Sequence, residues 1–202
     1  MSSTVTSTRP ARSRKVRAIL AGGVVLGVGA AVTLAAWSDS EFATGLFSAG
    51  SFNLEGSANG TAYDEHPAAD APASLAFSLP LAQNLAPEET VYAPFAVRLD
   101  DTTTSPADVA LTVAGTTGVV AGLTYELIAT SSFGCDATTT GTTIVPSGTA
   151  LTAGTGSFDL AAGTAGAAGA PVNLCFAVSA DSSLAQGQSG AVTWQFAATS
   201  AN

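Results

Sequence analysis

Residues 91–114 read VYAPFAVRLDDTTTSPADVALTVA. Apolar side chains occupy every second position at Val91, Ala93, Phe95, Val97 and Leu99, and again after a polar interval at Val109, Leu111 and Val113. Successive side chains of a strand point to opposite faces. The pattern therefore predicts two strands, each with one face in a core and one in water. Pro94 has no N–H to give to a ladder, which predicts an edge or a bulge at that point.

The same period recurs along the chain. It aligns Phe52 with Leu54, then Leu75, Phe77 and Leu79, then Leu123, Tyr125 and Leu127. Further on it aligns Val172, Leu174, Phe176 and Val178, and finally Val192, Trp194 and Phe196. Beyond the N-terminal segment no long stretch carries apolar residues at helical spacing, so no helix is expected there. Seven or more short strands separated by turn-rich loops predict an all-β chain folded as a β-sandwich or barrel. Glu55–Ser74 and Ala161–Pro171 read as long loops, and Gly156–Leu160 (GSFDL) only faintly echoes Gly50–Leu54 (GSFNL).

Charge is divided unevenly. Arg9, Arg12, Arg14, Lys15 and Arg17 precede AILAGGVVLGVGAAVTLAA, the uncharged run Ala18–Ala36. Basic residues followed by an apolar core and small residues describe a secretory signal peptide. The alternative is a single-pass anchor, because 19 apolar residues approach the roughly 20 that span a bilayer. The Gly/Ala richness of the run and the small residues before Ala36 favour cleavage. Residues 1–35 are thus expected to form a signal-peptide helix, and residues 36–202 the exported β-sandwich domain. That domain has one basic residue, Arg98, against fifteen acidic ones, a net charge of −14 with His66 neutral. Such a surface repels phosphates and anionic lipid, which excludes nucleic acid as a partner and leaves the membrane reachable only through the uncleaved segment.

The junction itself carries a resemblance. Ala36-Trp37-Ser38-Asp39, followed by Ala49-Gly50-Ser51-Phe52-Asn53-Leu54, resembles the processing site and mature N-terminus of the TasA/camelysin family. NLAPEETVYAPFAVRLDDTTTSPADVALTV, residues 84–113, resembles that family's Asn-Leu-x-Pro turn with its two following strands. The resemblance covers about a third of the chain. It implies a cut between Ala35 and Ala36 by a signal peptidase of the SipW type and a jelly-roll-like sandwich. It also implies a subunit of extracellular or biofilm-matrix fibres that self-associates by donating an N-terminal strand to a neighbour. The donor would be Ala36–Leu54, with Trp37, Phe42, Leu46, Phe47 and Phe52 as anchors. The opposing expectation is that this strand packs within its own domain.

Chemistry-bearing motifs are sparse. Cys135 and Cys175 are expected to form a structural disulfide in an oxidising compartment, with two buried thiols as the alternative. Closing a loop of 40 residues contributes about 4 kcal/mol in the chain-entropy model. His66 is the sole histidine and lies in the acidic stretch YDEHPAAD. It lacks the His-Glu-x-x-His pattern that holds zinc and the Gly-x-Ser-x-Gly elbow of a serine nucleophile. Asp64, Glu65, His66 and Asp70 read as a solvated acidic loop. Asp100, Asp101 and Asp108 are weak calcium-ligand candidates. No cofactor is expected, and an enzymatic role rests only on the camelysin name, which suggests a surface metallopeptidase. A carbohydrate- or host-surface-binding module is the remaining alternative, since sandwiches host many functions.

Overall fold

The computed structural model describes residues 15–20, 23, 40–46, 50–78, 85–118, 121–164 and 166–201. The chain divides into two units, Met1–Phe47 and Ser48–Asn202. In the first, residues 15–20 and 23 are helical. The rest of the expected signal-peptide helix and the Ala35–Ala36 junction lie outside the described residues. No helix among the described residues is long and apolar enough to cross a membrane.

The second unit is a two-sheet antiparallel β-sandwich. Its strands are β1 (Leu54–Ser57), β2 (Thr90–Leu99), β3 (Ala107–Gly118), β4 (Leu123–Thr130), β5 (Thr142–Ala150), β6 (Gly156–Leu160), β7 (Val172–Ala180) and β8 (Gly190–Ser200). One sheet runs β1-β2-β7-β4-β5 and the other β6-β3-β8. The alternating residues of the opening stretch do what their spacing predicts. Val91, Ala93, Phe95, Val97 and Leu99 of β2 and Val109 and Leu111 of β3 are buried. Leu127 of β4, Val145 of β5, Leu160 of β6, and Leu174 and Phe176 of β7 complete the core. Aromatic rings join the sheets: Trp194 lies 4.6 Å from Phe176 and 5.6 Å from Tyr125, and Phe196 lies 5.7 Å from Phe95, between ring centroids.

Pro94 sits at an edge of a local kind. β2 lies between β1 and β7, but β1 pairs only with Ala96–Leu99. Tyr92 turns its backbone away from β7: its carbonyl accepts from Ser78 N–H at 3.0 Å and its N–H donates to Ser78 Oγ at 3.3 Å. Backbone groups two residues apart face the same flank. Pro94 therefore presents its missing donor to a stretch of flank that β1 has already left.

Three strand expectations change. The alternation Leu75-Phe77-Leu79 does not form a strand: residues 72–78 are coil, and Leu79 lies outside the described residues. Leu75 and Phe77 still pack on the core, so the apolar period reports burial without a ladder. β5 and β6 were not expected from the alternation. β5 contains Pro146 and Gly148 and buries only Val145 fully, as befits an edge strand with register shifts against β4. β6 falls in what read as a faint echo of Gly50–Leu54.

The disulfide is present. Cys135 and Cys175 have Cα atoms 5.2 Å apart. Cys175 points outward from central strand β7, and the bond holds the β4–β5 loop across that face, leaving Cys175 buried. No cysteine is free. A disulfide of this kind marks a non-cytoplasmic, oxidising location.

Candidate functional site: an open sandwich edge

The two long sides of the sandwich are unlike. On one side β5 and β6 close the gap, and the approach is tight: a Cβ on Gly156 would lie 2.7 Å from the Ile144 carbonyl oxygen. On the other side β8 ends its sheet, with β3 as its sole strand partner among the described residues. Its inward-facing Val192, Trp194, Phe196 and Ala198 pack against the core but are only partly buried, whereas Val109 and Leu111, which pair with Ala198 and Phe196 on β3, are buried.

A cavity of about 600 Å³ opens along this side, between β8 and β2. Leu54, Val91, Phe95, Val192, Trp194 and Phe77 are among its lining residues. Gly56 keeps the β1 side open, because a Cβ there would meet the Phe95 ring at 2.6 Å. The indole N–H of Trp194 is buried and has no hydrogen-bond partner among the described residues. Next to it, burial pushes the Tyr125 phenol up; its hydroxyl donates to the Ala153 carbonyl at 3.1 Å.

The segment His66–Phe77 runs across the mouth of this cavity. His66 is exposed in coil and is the one ionisable side chain among the described lining residues. An acid–base pair, which general catalysis needs within hydrogen-bond reach, is not assembled there.

The acidic candidates are dispersed. Asp100 is buried at the β2–β3 corner, and its oxygens are taken by protein donors. Oδ1 accepts from Thr103 Oγ1 at 2.6 Å and Thr103 N–H at 2.8 Å. Oδ2 accepts from Thr102 Oγ1 at 2.7 Å and Asn53 Nδ2 at 3.0 Å. Burial pushes this carboxyl up, but the hydrogen bonds from Thr103, Thr102 and Asn53 together outweigh it and hold it at about 2, against 3.8. Asp101 is exposed in the adjoining turn and Asp108 is exposed on β3. No group of three or more histidine, cysteine or acidic side chains gathers to hold a metal among the described residues. The Asp100 cluster instead ties Asn53 at the start of β1 to the β2–β3 turn. Arg98 secures the same corner: it pairs with Glu55 at 2.9 Å and lies 3.9 Å over the Tyr63 ring.

The N-terminal anchor candidates separate into two kinds. Phe42 and Leu46 are 93% and 98% exposed. Phe52 packs on the core of its own domain, and Leu54 pairs with Leu99. Trp37 and Phe47 lie outside the described residues. Sequence reasoning did not reach β8's open edge, because strand order and edge status depend on which strands pair. The one signal available was that Val192, Trp194 and Phe196 form the last alternating run. Comparison with models of protein families and with curated proteins finds no match for this chain.

Proposed function

We propose that this protein is a secreted structural subunit that builds extracellular fibres by strand donation, as the TasA-like features of its N-terminal region imply. The observation that carries this reading is the outer edge of β8, which has no strand partner among the described residues and presents a row of partly buried apolar side chains above a cavity. A long, apolar, unpaired edge invites another chain to add a strand. Strand addition draws affinity from main-chain hydrogen bonds and specificity from alternate side chains in pockets.

The strand order supports a jelly-roll-like ancestry for this gap. In an eight-stranded jelly roll the first and last strands are neighbours. Here β1 pairs with β2 in the other sheet, and among the described residues no strand lies beside β8 on its outer flank. The donor narrows to residues 36–47 of a second copy, since Phe52 and Leu54 serve their own domain. Phe42, Thr44 and Leu46 would share one face of an extended donor. Cleavage between Ala35 and Ala36 would free that donor from the membrane, making processing the trigger of assembly.

The test is the intact mass and size distribution of the exported protein. The proposal expects a chain that begins at Ala36 and forms large assemblies, which fall to monomers when residues 36–47 are removed. A chain that begins at Ala36 and is monomeric at every concentration overturns it.

A further inference from the structure

We infer that His66–Phe77 is a resident placeholder in the β8-side groove, exchanged for the incoming strand when a second copy binds. This inference rests on the strand-donation reading and adds the regulation of the same site. The segment lines the groove with side chains, and among the described residues none of its backbone groups bonds to β8. Ala73, Leu75 and Phe77 pack against the core cluster, and Pro67, Ala68, Ala69 and Pro72 line the cavity mouth. Yet residues 65–68 and 72–78 have no regular structure. Their neighbouring backbone bonds are local or go to β2: Ala71 N–H to Ala68 O at 3.1 Å, Phe77 N–H to Leu75 O at 3.2 Å, and Ser78 N–H to Tyr92 O at 3.0 Å.

Two prolines explain why the occupant stays incomplete. Pro67 and Pro72 lack N–H groups, so this segment cannot offer β8 a continuous ladder. It does shield apolar surface that would otherwise make the monomer adhesive. An arriving strand with free N–H and C=O groups and apolar residues at alternate positions supplies both kinds of contact, and the placeholder supplies one. Exchange is therefore favourable, while the free monomer is kept from indiscriminate aggregation.

Amide hydrogen exchange tests this directly. The exported protein carrying Phe42→Asp, which keeps its own N-terminal segment from competing, is mixed with a synthetic peptide of residues 36–47. Residues 190–200 are expected to gain protection while residues 68–78 lose it. In a second measurement, Leu75→Ser weakens the placeholder and is expected to tighten peptide binding by roughly tenfold, with its melting transition still cooperative. Protection of β8 with no change in residues 68–78 overturns the placeholder and leaves strand donation standing. An absence of peptide binding overturns both. Equal or weaker binding by a folded Leu75→Ser variant also overturns the placeholder.

Discussion

Asp100 shows how one buried carboxylate sets a corner of the fold. Its hydrogen bonds join β1's entry to the β2–β3 turn, so removing the charge leaves Asn53, Thr102 and Thr103 donors without their acceptor. Asp100→Asn replaces one acceptor oxygen with a second donor facing them. Hydrogen bonds to a charged group are each worth about 1.5–3 kcal/mol, and the variant is expected to lose about 2–3 kcal/mol at neutral pH in a denaturant titration. The pH dependence has a definite sign. The carboxyl lies at about 2 in the folded chain and 3.8 otherwise, so its contribution is complete above the higher value and is lost as pH falls through the lower. The stability gap between wild type and Asp100→Asn should therefore shrink by roughly 2 kcal/mol as pH falls from about 4 to about 2. A gap that does not change across that interval would mean the carboxyl is not held by these bonds.

At the level of the strand, β8 performs two tasks with one alternation. Its inward residues complete the aromatic contacts between sheets, and its outer flank, without a strand partner among the described residues, is where the proposed donor strand would add. Val192 lies at the rim of the cavity and is already half-exposed, so Val192→Lys should cost less than about 1.5 kcal/mol of stability while abolishing peptide binding and assembly. Thr199→Lys, exposed on the other face of β8, should leave both intact. Size-exclusion profiles and melts of the two variants check this. The alternation of β2, β3, β4, β7 and β8 was legible in the sequence because their apolar residues recur strictly every second position. β5 escaped because an edge strand needs only Val145 to be fully buried. The 75–79 period misled because an apolar alternation can pack on a core without pairing. Phe52 and Phe42 look alike in sequence, and only the Asp100–Asn53 tie, which fixes where β1 enters the sheet, separates core from exposed anchor.

Across the whole molecule the disposition of charge fits a neutral seam on an acidic body. Arg98, the one basic residue beyond the N-terminal cluster, is occupied by Glu55 and Tyr63. The described lining of the groove carries His66 as its one ionisable side chain, with Glu65 and Asp70 in the same segment at its mouth. Residues 36–202 carry a net charge of −14, so copies of that part would repel at long range, and the proposed contact between them would rest on short-range apolar and backbone interactions. The open side of the sandwich was not legible from residue patterns, since the partner of β8 is a property of the assembled sheets. The disulfide pairing was legible, because the chain contains two cysteines.

Site-directed cross-linking tests the central claim most directly. Because both native cysteines are joined, one exported preparation with Phe42→Cys and another with Val192→Cys each carry a single free thiol. They are mixed at about 0.15 M salt, where charge repulsion is screened beyond roughly 8 Å, and oxidised gently. Donation of one copy's N-terminal strand to the β8 edge of another predicts a disulfide-linked heterodimer, with little product when Thr199→Cys replaces Val192→Cys. Equal yields from the groove and control positions, or no linked product in preparations that still assemble, would contradict it.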